Sequence, residues 1–151
     1  MVNDNIDIIA EYDKLKTKVL KYIIYKKRTE NEIRQKFSQT INEDTLNDII
    51  EELKESGYIN DLDYVDRAVC EFMALKNLSI KEIKYKLLAK GIDSYIIEEY
   101  ISSNLERLNE YEIQSAKNIC NHKPLLEQEE LKLFLLKKGY NIDNIKIAME
   151  G

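Results

Sequence analysis

Proline occurs once and glycine four times in this chain of 151 residues, so strand-and-turn architectures lack their usual punctuation. Histidine is nearly absent too: His122 stands alone, two residues from Cys120, whereas a zinc site needs three or four protein ligands. The sequence has no phosphate-binding Gly-x-x-x-x-Gly-Lys loop, no dinucleotide glycine fingerprint and no Gly-x-Ser-x-Gly elbow. Its carboxylates read as residues on exposed helix faces, and neither catalysis nor a metal or cofactor is expected. No apolar run reaches the length of a membrane span, and Met1-Val2-Asn3-Asp4-Asn5 carries acid in place of a basic leader, so a cytoplasmic protein without membrane association is expected. Cys70 and Cys120, without a secretory signal, read as reduced, buried thiols. The formal net charge of -5 opposes long-range attraction to nucleic acid or anionic lipid, so any nucleic-acid contact must be local.

What the chain does have is helical periodicity, and it repeats. Three times an apolar residue precedes a capping residue and a second apolar residue follows four positions after the cap: Ile41-Asn42 with Leu46, Ile92-Asp93 with Ile97, and Tyr140-Asn141 with Ile145. This spacing fits a hydrophobic staple closed over a helix N-cap. The apolar stripe continues through Ile49 and Ile50, Tyr100 and Ile101, and Ala148 and Met149. The preceding helix recurs as well, with Glu32-Ile33-Arg34 and Phe37 answered by Glu82-Ile83-Lys84 and Leu87, then by Glu130-Leu131-Lys132 and Leu135. Thr29 to Glu32 and Ser79 to Glu82 have capping-box spacing, which places helix starts near residues 30 and 80. Gly91 and Gly139 stand where the second and third of these helices end. A further helix opens each copy, through Leu15, Val19, Leu20, Ile23 and Ile24, then Val65, Val69, Cys70, Phe72 and Met73, and more weakly Ile113, Ala116, Ile119 and Cys120.

The expected fold is therefore all-α, three tandem three-helix repeats in an elongated, curved body. The expected bounds are a tail at 1–12 and repeats at 13–60, 61–110 and 111–151. Ile33, Ile83 and Leu131 should occupy equivalent buried sites, as should Leu46, Ile97 and Ile145.

One segment is more distinctive than the periodicity: Leu53-Lys54-Glu55-Ser56-Gly57-Tyr58-Ile59-Asn60-Asp61, followed by Tyr64-Val65. Gly57 can end a helix, Tyr58 can fold back on it, and Asp61 can cap the next helix around Tyr64. Together with Lys86-Leu87-Leu88-Ala89-Lys90-Gly91-Ile92 and Leu135-Leu136-Lys137-Lys138-Gly139-Tyr140, it resembles the RecX family of recombinase regulators, from about Leu15 to Met149. The resemblance implies three tandem three-helix repeats in a monomer. It also implies a protein that lies along the groove of the RecA filament on single-stranded DNA and hinders filament extension, ATP turnover and strand exchange. Direct DNA binding should be weak, given the overall acidity. Where family members carry a glycine with strongly basic neighbours, this chain reads Asn77-Leu78-Ser79-Ile80-Lys81-Glu82.

Charge is segregated along the chain. From Lys26 to Lys36 five bases oppose two acids, from Lys81 to Lys90 four oppose one, and Glu43 to Glu55 carries six acids against Lys54. Acids in a first turn and bases in a last turn are ordinary dipole complementarity. The basic helices as a set instead suggest a docking side, which makes Lys27, Arg28, Arg34, Lys36, Arg67, Lys81, Lys84, Lys86 and Lys90 candidate partner contacts. Tyr64 and Tyr85 are the candidate aromatic anchors beside them. The alternative is a helical-repeat module that binds nucleic acid directly or scaffolds another protein.

Overall fold

The computed structural model describes residues 2–75 and 77–150. Met1, Lys76 and Gly151, which the expected bounds include, lie outside them. Among the described residues there are nine helices and no strand: α1 (Val2–Tyr25), α2 (Glu30–Phe37), α3 (Glu43–Glu55), α4 (Asp61–Leu75), α5 (Ile80–Ala89), α6 (Ser94–Ser103), α7 (Leu105–Asn121), α8 (Gln128–Lys138) and α9 (Ile142–Glu150). The chain forms two compact units, Met1–Tyr64 with Lys90–Ile92, and Val65–Ala89 with Asp93–Gly151.

The helix entries follow from their caps. Asn42 accepts hydrogen bonds from the amides of Asp44 and Thr45, Asp93 from that of Tyr95, and Asn141 from those of Asp143 and Asn144. Each cap lies under a staple whose members, Ile41 with Leu46, Ile92 with Ile97 and Tyr140 with Ile145, are all buried. Ile33, Ile83 and Leu131 are buried at matching positions, as are Leu46, Ile97 and Ile145. Thr29 and Ser79 each close a full capping box: the hydroxyl accepts from the amide of Glu32 or Glu82, whose carboxylate accepts from the cap's own amide.

In the first unit Val19, Ile23, Ile33, Phe37, Ile41, Leu46, Ile49, Ile50, Leu53 and Ile59 form one core, with Tyr12, Leu15, Leu20 and Tyr22 packed on it. In the second unit Ala116, Ile119, Leu135, Tyr140, Ile145 and Ala148 form another, bordered by Ile113, Cys120, Phe134 and Met149.

The same joint is built once in each unit. The Thr29 hydroxyl donates to the Lys90 carbonyl at 3.1 Å, and the Ser79 hydroxyl to the Lys138 carbonyl at 2.8 Å. A carboxylate from another helix then caps the same turn: Asp61 accepts from the Glu30 amide at 3.0 Å, and Glu112 from the Ile80 amide at 2.7 Å. Immediately after each accepting carbonyl stands a glycine at positive φ, Gly91 at 78° and Gly139 at 96°. A Cβ on Gly91 would fall inside the Asn31 side chain, and one on Gly139 would come within 3.0 Å of Lys81. Asn31 and Lys81 hold the same place in their respective joints, so both glycines serve close approach as well as the left-handed turn.

Four expectations need correction. Residues 2–12 are not a tail but the start of α1: nothing in that stretch breaks a helix, and it propagates outward from the packed part. The bound expected between residues 110 and 111 falls inside α7. Ile24, an apolar position of the helix that opens the first copy, and Cys70, read as a buried thiol, are exposed because each sits one position, about 100° of helix, past a core residue, Ile23 and Val69. Both cysteines are free thiols; Cys120 is half-buried, and burial pushes its thiol up.

Two stability outcomes follow. Gly57→Ala and Gly91→Ala both force a side chain into the left-handed region, at about 1–2 kcal/mol, but only Gly91 would also have to displace Asn31. The urea midpoint should fall further for Gly91→Ala, and equal losses would contradict the close approach. Ile83→Ala, truncating a side chain 2% exposed, should cost about 2–5 kcal/mol, against at most about 0.5 kcal/mol for exposed Lys81→Ala.

Candidate partner-binding surface

The basic residues divide into those consumed inside the fold and those left at the surface. In the first unit Lys27 pairs with Asp63 at 3.0 Å. Arg34 bridges two helices, with Nε on Glu30 at 3.1 Å and Nη1 donating to Asn47 at 2.6 Å, so it ties α2 to α3. Its counterpart Lys84 ties α5 to α6 through Glu98, which occupies the place of Asn47. Lys54 completes the cluster on Glu30 at 2.6 Å. Burial pushes the Glu30 carboxyl up, but the hydrogen bonds from Lys54 and Arg34 outweigh it and hold the group below its ordinary range. Lys27, Arg34 and Lys84 thus each have a carboxylate partner within the fold.

Lys36 and Lys86 behave differently. Both are exposed, and each lies over a ring on the preceding long helix, Lys36 at 5.7 Å from the centroid of Tyr22 and Lys86 at 6.0 Å from that of Phe72. Arg28 also stacks on Tyr22, at 4.2 Å. On α5, Lys81 lies 6.0 Å from the ring of Tyr85, one turn on, and Tyr85 is 59% exposed, as an anchor would be. Lys90 is exposed and its carbonyl serves the first joint. Tyr64 is half-buried and Arg67 exposed, and each has interactions of its own.

The Gly57 segment works by other residues than expected. Gly57 has φ 83° and ends α3, but Tyr58 is 49% exposed, and the side chain that folds into the core is Ile59 at 3%. The amides of both donate to the Leu53 carbonyl. Asn60, not Asp61, caps α4, through its side chain to the Asp63 amide and its carbonyl to the Tyr64 amide. Asp61 faces the other way, onto α2. Burial raises its carboxyl above the ordinary range, with the nearby Glu30 charge adding to the effect against the hydrogen bond from the Glu30 amide.

Outside the caps, the carboxylates read as residues on exposed helix faces, and Glu112 departs from that. It is 1% exposed and accepts from the amides of Ile80 and Asn141 and from Asn144 Nδ2, at 2.7, 2.8 and 3.0 Å. The available signal was its spacing from Asp61, which matches the repeat. A second unexpected network runs from Asp66, which accepts from the Tyr100 hydroxyl at 2.8 Å, to Arg107, whose Nη2 lies 2.6 Å from that hydroxyl and whose Nη1 lies 4.0 Å from Cys70 Sγ.

Among the described residues no three of the His, Cys, Asp and Glu side chains are grouped to hold a metal ion, and no helix is long and apolar enough to cross a membrane. His122 is exposed, with Nδ1 2.6 Å from the Asn118 carbonyl. A shallow cleft of about 310 Å³ is lined by Ser103, Asn104, Glu106, Arg107 and Glu110.

No family model matches the chain. It is 30% identical over 156 residues to the regulatory protein RecX of Clostridium botulinum strain Eklund 17B / Type B, an alignment that covers 95% of this chain and 72% of that protein. The chain belongs to the RecX family. The regulatory protein RecX of Streptococcus mutans serotype c is 27% identical over 158 residues, and the chain spans 58% of its length. The crystal structure of RecX from Lactobacillus salivarius superposes with a TM-score of 0.81 at 26% identity, over 94% of this chain and 96% of that one. A second RecX crystal structure, at 18% identity and a TM-score of 0.81, shares the fold.

For this RecX-family chain the buried hydroxyls set an alkaline limit. Burial, helped by the hydrogen bond to Asp66, pushes Tyr100 up to about 12, and burial raises Tyr140 as well. A raised folded-state value means that the native protein holds these protons more tightly than the unfolded chain. The stabilisation is therefore complete below pH 10, the ordinary tyrosine value, and is lost as pH rises toward about 12. The melting midpoint should drop between about pH 9 and about pH 11, and Tyr100→Phe/Tyr140→Phe should drop less. An identical decline in both proteins would refute this assignment.

Proposed function

We propose that this RecX-family protein regulates the RecA recombinase, as an inhibitor that binds the RecA filament on single-stranded DNA and slows filament extension, ATP hydrolysis and strand exchange. The family match, which spans 95% of the chain, carries this reading. The charge distribution supports it: Lys81, Lys86 and Lys90 on and beside α5 and Lys26 and Lys36 around α2 are among the cations exposed at the surface. In this reading the protein is a monomeric, cytoplasmic binding protein and not an enzyme, built as three tandem three-helix units. It docks mainly on protein, because a net charge of -5 keeps its hold on DNA weak.

On α5 the docking face consists of Lys81, Tyr85 and Lys86. Tyr85 presents its ring to solvent and Lys81 stands beside it, the combination of aromatic anchor and cation that concentrates binding energy in interfaces. Lys84 contributes through Glu98 to the fold instead.

The decisive experiment is the ATPase of RecA on single-stranded DNA, with and without this protein. Wild type should slow hydrolysis at well below one molecule per RecA subunit. Lys81→Glu/Lys86→Glu should raise the concentration for half-inhibition by about tenfold or more, as charge reversal at an interface does. Lys84→Glu should act chiefly on stability. Wild type that leaves RecA activity untouched over a wide concentration range would end the regulatory reading. A double variant as potent as wild type would move the interface away from α5.

A further inference from the structure

The stretch from Lys26 to Lys36 holds an imbalance that the fold does not use. Both of its acids are engaged, Glu30 with Arg34 and Lys54, and Glu32 in the capping box. Two of its five bases, Lys27 and Arg34, have carboxylate partners. Lys26, Arg28 and Lys36 have none among the described residues.

Arg28 and Lys36 also share a ring. The guanidinium stacks 4.2 Å from the Tyr22 centroid and the ammonium stands 5.7 Å from the same centroid. Tyr22 is itself fixed, edge-on to buried Phe37 with centroids 5.6 Å apart and planes at 88°. The buried Nε of Arg28 has no hydrogen-bond partner. Both cations lie against one fixed ring, and among the described residues neither has a carboxylate partner, so an arriving anion meets positive charge that the fold already holds in place. In the second unit Lys86 meets Phe72 alone, because Leu78 stands where the first unit has Arg28.

We propose that Arg28 and Lys36, seated on Tyr22, form an anion site that takes a phosphate of a single-stranded nucleic-acid backbone. The planar guanidinium matches phosphate oxygens in pairs, and the ammonium adds a point charge beside it. No base-reading group accompanies them, so the contact is independent of sequence. The site rests on the regulatory reading only for the choice of a single strand as the source of phosphate. With the rest of the molecule acidic, the affinity is weak and strongly dependent on salt.

The test is fluorescence anisotropy of a short fluorescein-labelled thymidine oligonucleotide, titrated with the full-length protein over a series of low salt concentrations. Wild type should bind. Arg28→Gln/Lys36→Gln should lose about tenfold in affinity, and its slope of log affinity against log salt should be shallower by about 0.7, the value for one phosphate neutralised on a single strand. Lys14→Gln/Lys18→Gln, which removes the same charge from exposed residues of α1, should change both far less. Lys36→Gln alone leaves the Arg28 stack in place and should give about half the change in slope, a readout that survives if the double variant unfolds. No oligonucleotide binding by wild type, an unchanged slope for Lys36→Gln, or an equal loss in the α1 control would overturn the site. If the affinities change as expected while wild type leaves RecA's ATPase untouched, the site stands and the regulatory reading falls.

Discussion

A hydroxyl that accepts one hydrogen bond and donates another organises this molecule. Thr29 and Ser79 accept from the third amide of the helices they cap and donate to the carbonyls of Lys90 and Lys138. Only a side chain with both capacities can do this, and both are fully buried. A carboxylate on another helix takes the first amide of the same turn, and a glycine after the accepting carbonyl lets the backbone come close. Remove the hydroxyl and two polar groups lose a partner away from water, at about 1–3 kcal/mol for each buried group left unsatisfied.

Most of the fold was legible because its rules are local. Thr29 with Glu32, Ser79 with Glu82, and the apolar pairs over Asn42, Asp93 and Asn141 declare themselves through spacing alone. What stayed hidden depends on residues far apart in sequence. Nothing around Glu112 distinguishes it from the solvated acids Glu106 and Glu110, and its burial follows from amides 32 and 29 residues away. Tyr58 illustrates a different failure. An aromatic after a helix-ending glycine is a reasonable guess for the residue that folds back, yet the turn at Gly57 delivers the next side chain, Ile59, to the core.

The candidate surface was legible only in outline. Runs of basic residues are visible in sequence, but not which of them the fold uses. Arg34 and Lys84 stood among the candidate contacts, and they recur in sequence at positions where each ties one helix to the next. Recurrence in a repeat sequence therefore marks structure before it marks function. The irregular residues, Arg28 above all, are where the copies become free to differ.

The third copy shows that freedom in another form. Where the first two copies place a ring at Tyr22 and Phe72 and a lysine at Lys36 and Lys86, the matching positions hold Cys120 and Phe134, so the ring has crossed to the other helix. Its cations come from new places, Lys123 at 4.6 Å and Lys138 at 5.8 Å from the Phe134 centroid. The contact is present in all three copies although different residues make it. Column-by-column comparison of the copies would score this as divergence, when what they share is the pairing of a positive charge with an aromatic face, whichever strip of helix supplies either one.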